Sequence, residues 1–247
     1  MTTSEHRVRI RRVVHPDVPG PIGPRPTPRE RLVYSMRIRR IEYLPVEVAG
    51  YAVAALLSVR SGAVPWNAAI VLAMLAALCC THVVSMAVAL ADRDIQPANA
   101  LSDAVHELGP RAVRRQIGTT GAVLAGLALA LSAATGHWDI LALLAITLYL
   151  GMRGAGGWPA LLLARFWLPM VLIVRAAPGE PQWTVLVAVT GFAACQVGIT
   201  LVGVAANWLR AEAFGLRPSA RAFGLTRSLA IGGTVIGAGG ALLLMSW

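Results

Sequence analysis

The sequence predicts an all-α fold, a polytopic transmembrane helical bundle of about seven spans. Of its 247 residues, 56% are hydrophobic and 14% charged, with a mean hydropathy of +0.64. That balance is too apolar for a water-soluble domain of this size. Several unbroken apolar runs also approach or exceed the roughly 20 residues with which a helix crosses a bilayer. A closed barrel would show short alternating strands instead.

Taken in order, residues 1–42 read as a disordered basic cytoplasmic tail rich in proline and arginine. Pro16, Pro19, Pro21, Pro24, Pro26 and Pro28 fall within it, as do ten of the 22 arginines. It lacks the apolar core of a secretion signal. Its last part, "RLVYSMRIRRIE" at 31–42, reads either as a short helix along the membrane surface or as a positive flank anchoring the first span. The transmembrane bundle takes residues 43–247. Its spans fall at approximately 44–59, 67–91, 117–135, 138–152, 156–175, 183–206 and 227–247, with turn signals at "RSGAVP" and "APGEPQ".

Charge placement sets an expected orientation. Every one of the 22 basic residues is arginine. Arg93, Arg111, Arg114 and Arg115 follow span two, Arg153 follows span four, and Arg210, Arg217, Arg221 and Arg227 follow span six. Only Arg60 and Arg175 fall on the other side. The positive-inside rule then predicts an inner (plasma) membrane protein with its N-terminus and charged loops in the cytoplasm. Because the arginines fall in a tail and short loops, the net charge of +10 does not argue for nucleic acid. Cys79, Cys80 and Cys195 sit in apolar runs and read as small buried hydrophobes.

Two charged stretches end apolar runs: "VALADRDIQ" at 88–96 and "NWLRAEAFG" at 207–215. Behind the first, Thr81, Ser85, Ala89, Asp92 and Gln96 recur at helical spacing. Behind the second, Gln196, Thr200, Gly203, Asn207 and Arg210 do the same. Two such stripes imply either tight polar helix packing or a polar cavity.

With these stretches at the ends of spans two and six, the chain resembles the UbiA-type intramembrane prenyltransferases over about residues 43–225. That family carries N-D-x-x-D-x-x-x-D at the end of its second span, a pattern that falls here on Val88, Ala89, Asp92 and Gln96. Its second motif, D-x-x-x-D-x-x-x-G, falls on Asn207, Ala211 and Gly215, and a threonine three residues on becomes Pro218. The tyrosine-x-x-x-lysine element after span four appears as Tyr149 and Arg153. One span follows where family members usually carry three. Most motif aspartates are thus replaced.

The resemblance implies a prenyltransferase acting on a prenyl diphosphate, by transfer to an acceptor or by cyclisation. In such a reaction Mg2+ bridges carboxylates to the leaving diphosphate. By that resemblance Asp92 is the catalytic residue and a metal ligand, with Gln96 and Asn207 as neutral metal ligands. Tyr149, Arg153 and Asn207 contact substrate, joined by Arg93 and Arg210 at the same membrane face, whose other reading is as cytoplasmic anchors. A catalytically inactive UbiA-like scaffold, or a lipid-binding partner of a biosynthetic enzyme, is the alternative. A small transporter is a third.

Arg165 is a separate signal. An arginine inside span five needs a counter-charge, either Glu47 or a bound anionic head group. His82 reads as serving a polar cavity or as bonded to a neighbouring helix. "GGTVIGAGGA" in the last span favours close helix contact or a homodimer. Expected partners are therefore a prenyl diphosphate or isoprenoid lipid, membrane lipids, and a partner protein or second copy.

Overall fold

The computed structural model describes residues 26–62, 68–93, 100–153, 163–177, 183–213 and 225–246, with 60–62, 92, 100, 153, 163–164 and 203–213 described by their backbone alone. Every regular element among them is helical. The nine α-helices are α1 (Pro28–Ile38), α2 (Leu44–Gly62), α3 (Ala68–Asp92), α4 (Ala100–Leu108), α5 (Pro110–Thr135), α6 (Asp139–Arg153), α7 (Leu168–Ala176), α8 (Trp183–Ala213) and α9 (Leu225–Met245). A 3-10 turn, Ile41–Tyr43, leads into α2, and a π-helical turn, Leu163–Trp167, leads into α7.

Among the described residues, five stretches are long and apolar enough to cross a membrane: Ile41–Val59, Ala68–Ala91, Pro110–Thr135, Trp183–Val202 and Leu225–Met245. The chain is an integral membrane protein. These five coincide with the first, second, third, sixth and seventh expected spans. The fourth is the shorter apolar helix Asp139–Met152. The fifth is described from Leu163 onward, as the π turn and α7.

Within the segment read as the tail, Pro28–Ile38 is helical, in line with the short-helix reading of residues 31–42. The sequence "TPRE" starts α1. Thr27 Oγ1 accepts from the Glu30 backbone N–H at 3.3 Å, and the Glu30 carboxylate accepts from the Thr27 N–H at 2.8 Å. This reciprocal cap satisfies donors that a helix start leaves open. Those bonds, the backbone one foremost, hold the Glu30 carboxyl below its ordinary range. The cap is therefore intact above that ordinary range and is lost as pH falls through the lowered value. Thr27→Ala is expected to cost α1 about 1 kcal/mol of local stability, read as faster amide exchange over residues 30–34 with no change over α5.

What holds α1 is packing. Ile38, Met86, Ala89, Ala104, Val105 and Val113 form one buried cluster, drawn from α1, the end of α3, α4 and the start of α5. Ser35 Oγ donates to Gln116 at 2.9 Å, and Arg39 reaches Thr120 at 3.4 Å. The N-terminal segment and the segment after span two thus share one end of the bundle. At the opposite end Arg175 Nε meets Asp139 at 2.7 Å, and Arg175 Nη1 lies 3.2 Å from His137 Nε2, tying the close of α7 to the α5–α6 turn.

Between these ends α3 is the central helix. Ala73, Ala76, Ala77 and Cys80 are fully buried, and such small side chains let α5, α6 and α7 approach it closely. On α6, Gly151 is packed so tightly against Val84 that a Cβ there would lie 2.5 Å from a valine methyl. By contrast, among the described residues α9 packs extensively only along α8.

Candidate functional site

Arg165 owes its position to a local backbone conflict. Pro169, four residues on, has no N–H to give the Arg165 carbonyl, and its ring would clash with that carbonyl in a regular α-helix. The chain widens into the π turn Leu163–Trp167 instead. Arg165 is 9% exposed and donates through Nε and Nη2 to Glu47 Oε1, at 3.0 and 2.7 Å. Glu47, in the first turn of α2, is 3% exposed. The Tyr43 ring lies 4.8 Å from the guanidinium carbon. Of the two counter-charges the sequence allowed, Glu47 is the one in contact. One helical turn along α2, Tyr51 buries a hydroxyl that finds no hydrogen-bond partner among the described residues.

Beside this pair opens a cleft of about 280 Å3, its mouth included, lined by Arg40, Thr81, Val84, Ser85, Val88 and Arg165. Three elements meet there: the α1–α2 connection, α3 and the π turn. Arg40 is a non-glycine residue at φ 54°, ψ 47°, a left-handed conformation that costs about 1–3 kcal/mol unless its surroundings enforce it. They do. The Arg40 N–H donates to the Arg37 carbonyl and its carbonyl accepts from Tyr43, both at 3.0 Å. The neighbouring Arg39 carbonyl lies 3.2 Å from His82 Nδ1. His82 thus bonds a neighbouring element, the second of its two expected readings.

The polar stripe of α3 splits between both of its expected uses. Thr81 and Ser85 line the cleft, whereas Ala89 packs beneath α1 and α4. Thr81 Oγ1 donates to the Leu78 carbonyl of its own helix at 2.9 Å. On α8, Thr200 bonds the Gln196 carbonyl in the same manner, and no described residue of α8 lines the cleft.

The residues singled out from the sequence fall as follows. Asp92 closes α3, with its side chain outside the described residues, as are those of Arg153, Asn207 and Arg210. Gln96 lies outside them altogether. Ser85 and Asp92 are seven residues apart on one helix, about 10 Å along its axis. Arg93 turns back and donates to the Leu90 carbonyl at 3.2 Å, capping the end of α3. Tyr149 is 53% exposed and is not part of the cleft lining. Among the described residues, Arg165 is the expected site residue that lines it. Among the described residues no cluster of three or more histidine, cysteine, aspartate or glutamate side chains could hold a metal ion.

Sequence reading did not single out Arg40. The readable signal was the "TPRE" helix start, which forces a connection between α1 and α2 at 39–43.

Comparison of the chain with protein-family models, with curated proteins and with solved structures finds no match.

Proposed function

We propose that this protein is a divergent UbiA-like membrane prenyltransferase that binds a prenyl diphosphate where α3 ends, with that end of the bundle in the cytoplasm. One observation carries the reading: the polar face of α3 is turned into the bundle and opens on a cleft two helical turns before Asp92. A head group in or above that cleft would lie near the Asp92 stretch, with its prenyl chain among the apolar helices. In this reading Asp92, Gln96 and Asn207 hold Mg2+, which supplies Lewis-acid stabilisation of the departing diphosphate. Arg93, Tyr149, Arg153, Arg165 and Arg210 contact the substrate. The experiment is magnesium-dependent release of diphosphate from an allylic donor in detergent. Asp92→Ala should lower turnover at least a hundredfold; turnover unaffected by that change defeats the assignment.

A second reading, an inactive lipid-binding partner of another membrane enzyme, has its own support. Most of the cleft is open mouth, and its enclosed part is far below the roughly 300–1,000 Å3 of ordinary ligand pockets, while Arg165 is already neutralised by Glu47. Absence of turnover with donors of every chain length, together with co-purification of one stoichiometric enzyme, decides for it.

A further inference from the structure

We infer that the cleft between the α1–α2 connection, α3 and the π turn is a metal-independent site for a phosphate group, carried by Arg165, Arg40, Ser85 and Thr81. The inference shares with the prenyltransferase reading only the anionic character of the ligand. It stands if no prenyl group is ever transferred.

Arg165 carries more donors than its ion pair uses. A guanidinium has five N–H groups in a rigid fork. Glu47 takes two of them from Arg165, both on a single oxygen. The Tyr43 ring covers the guanidinium without using an N–H in the plane of the fork. Arg165 therefore keeps donor capacity and lies in the wall of the cleft. Its side chain is held before any ligand arrives, so binding there costs little further ordering.

Ser85 is 6% exposed and lines the same cleft, towards which it can offer a hydroxyl. A phosphate oxygen placed in the cleft would accept from that hydroxyl. Thr81 already gives its proton to its own helix, so it contributes an accepting oxygen, suited to a protonated phosphate.

The fourth residue is placed by the backbone. The left-handed Arg40 brings a second guanidinium to the cleft, and the His82 contact to the adjoining carbonyl fixes the turn. A strained backbone, enforced by its neighbours to deliver a charged side chain to a polar opening, is the arrangement expected of a binding residue. Forked arginine donors and hydroxyls match tetrahedral phosphate oxygens without a metal ion. The enclosed part of the cleft holds little more than a water, so the phosphate would sit at its open mouth, with the rest of the ligand outside. Its source is either a membrane phospholipid or a soluble phosphate.

The experiment uses the full chain, delipidated in detergent with EDTA present. Inorganic phosphate and diphosphate are titrated while the unfolding temperature is followed. In parallel, native mass spectrometry is run on protein from nanodiscs of phosphatidylcholine with or without phosphatidic acid. Stabilisation by the free anions, weakened at least tenfold in apparent affinity by Arg40→Gln and by Ser85→Ala, supports the site with a soluble ligand. Retention of phosphatidic acid over phosphatidylcholine, lost in the same variants, supports it with a lipid ligand. Glu47→Gln distinguishes a binding site from a merely structural ion pair. Freed from its carboxylate, Arg165 should bind either phosphate source several-fold more tightly, although the variant is less stable without ligand. No response to either source, or a response equal in wild type and in all three variants, overturns the inference.

Discussion

Arg165→Leu is expected to destabilise the folded protein by about 3–5 kcal/mol, because it leaves the Glu47 carboxylate buried without its partner. Glu47→Leu should do comparable damage from the other side. Replacing both at once removes the stranded charge, and the double variant should recover most of the loss. The measurement is a double-mutant cycle on unfolding in mixed SDS micelles. A coupling energy near zero would mean that the two side chains do not meet in the native state. The sign follows from desolvation: a single charge in the apolar interior is far more costly than a pair. Both short contacts fall on one carboxylate oxygen, so Glu47→Gln, which still offers an accepting oxygen, should be milder than Glu47→Leu.

That pair also marks how far the sequence could be read. Arg165 between apolar neighbours demanded a counter-charge, and the first acidic residue of span one was an available choice. Composition and run length disclosed the membrane class, and helical periodicity placed Thr81 and Ser85 on one face. Periodicity could not decide between packing and cavity, because one stripe does both: Ala89 packs and Ser85 lines the cleft. The widened turn at Leu163–Trp167 depends on a conflict between Pro169 and the Arg165 carbonyl. Hydropathy does not register such a conflict, though the four-residue spacing does.

The start of α1 is a local signal of the same kind. Proline and arginine dominate the average over residues 1–42, and an average hides a local start signal. Thr27, Pro28 and Glu30 carry the cap, and Tyr34 and Ile38, one turn apart, carry the apolar contact with α3, α4 and α5. The motif residues stand differently. Asp92 and Asn207 rest on the resemblance and Arg210 on its membrane face, and a motif specifies positions along a chain. The structure places α3 and α8 without an extended contact between them, so a shared site would span a gap bridged by ligand.

The seam between α8 and α9 sets up a second large effect. Gly191 meets Gly239, and Gly198 meets Gly232, an antiparallel register in which each helix repeats glycine after seven residues. A Cβ on Gly239 would lie 2.6 Å from the Gly191 carbonyl oxygen and 2.8 Å from Cys195 Sγ. One on Gly198 would lie 2.5 Å from Ile236 Cγ1 and 2.7 Å from the Gly232 carbonyl oxygen. Backbone atoms cannot rotate away, so the helices themselves must part. In a bilayer no hydrophobic effect draws two helices together, and close approach supplies most of the attraction. Gly239→Val is therefore expected to cost upward of about 1–3 kcal/mol. Because α9 packs extensively only on α8, the cost should appear as detachment of α9 with the remaining bundle intact. In a Cys79→Ser, Cys80→Ser background, Cys195 should then react with maleimide in detergent at least tenfold faster. Gly237 supplies the control on the same helix, since a Cβ there meets nothing within 4 Å. Gly237→Ala should leave Cys195 protected and gain about 0.5–1 kcal/mol from reduced chain entropy. Equal effects at 237 and 239 would refute a seam built on close approach, and loss of a dimer at 237 alone would mean that the outer glycines meet a second copy.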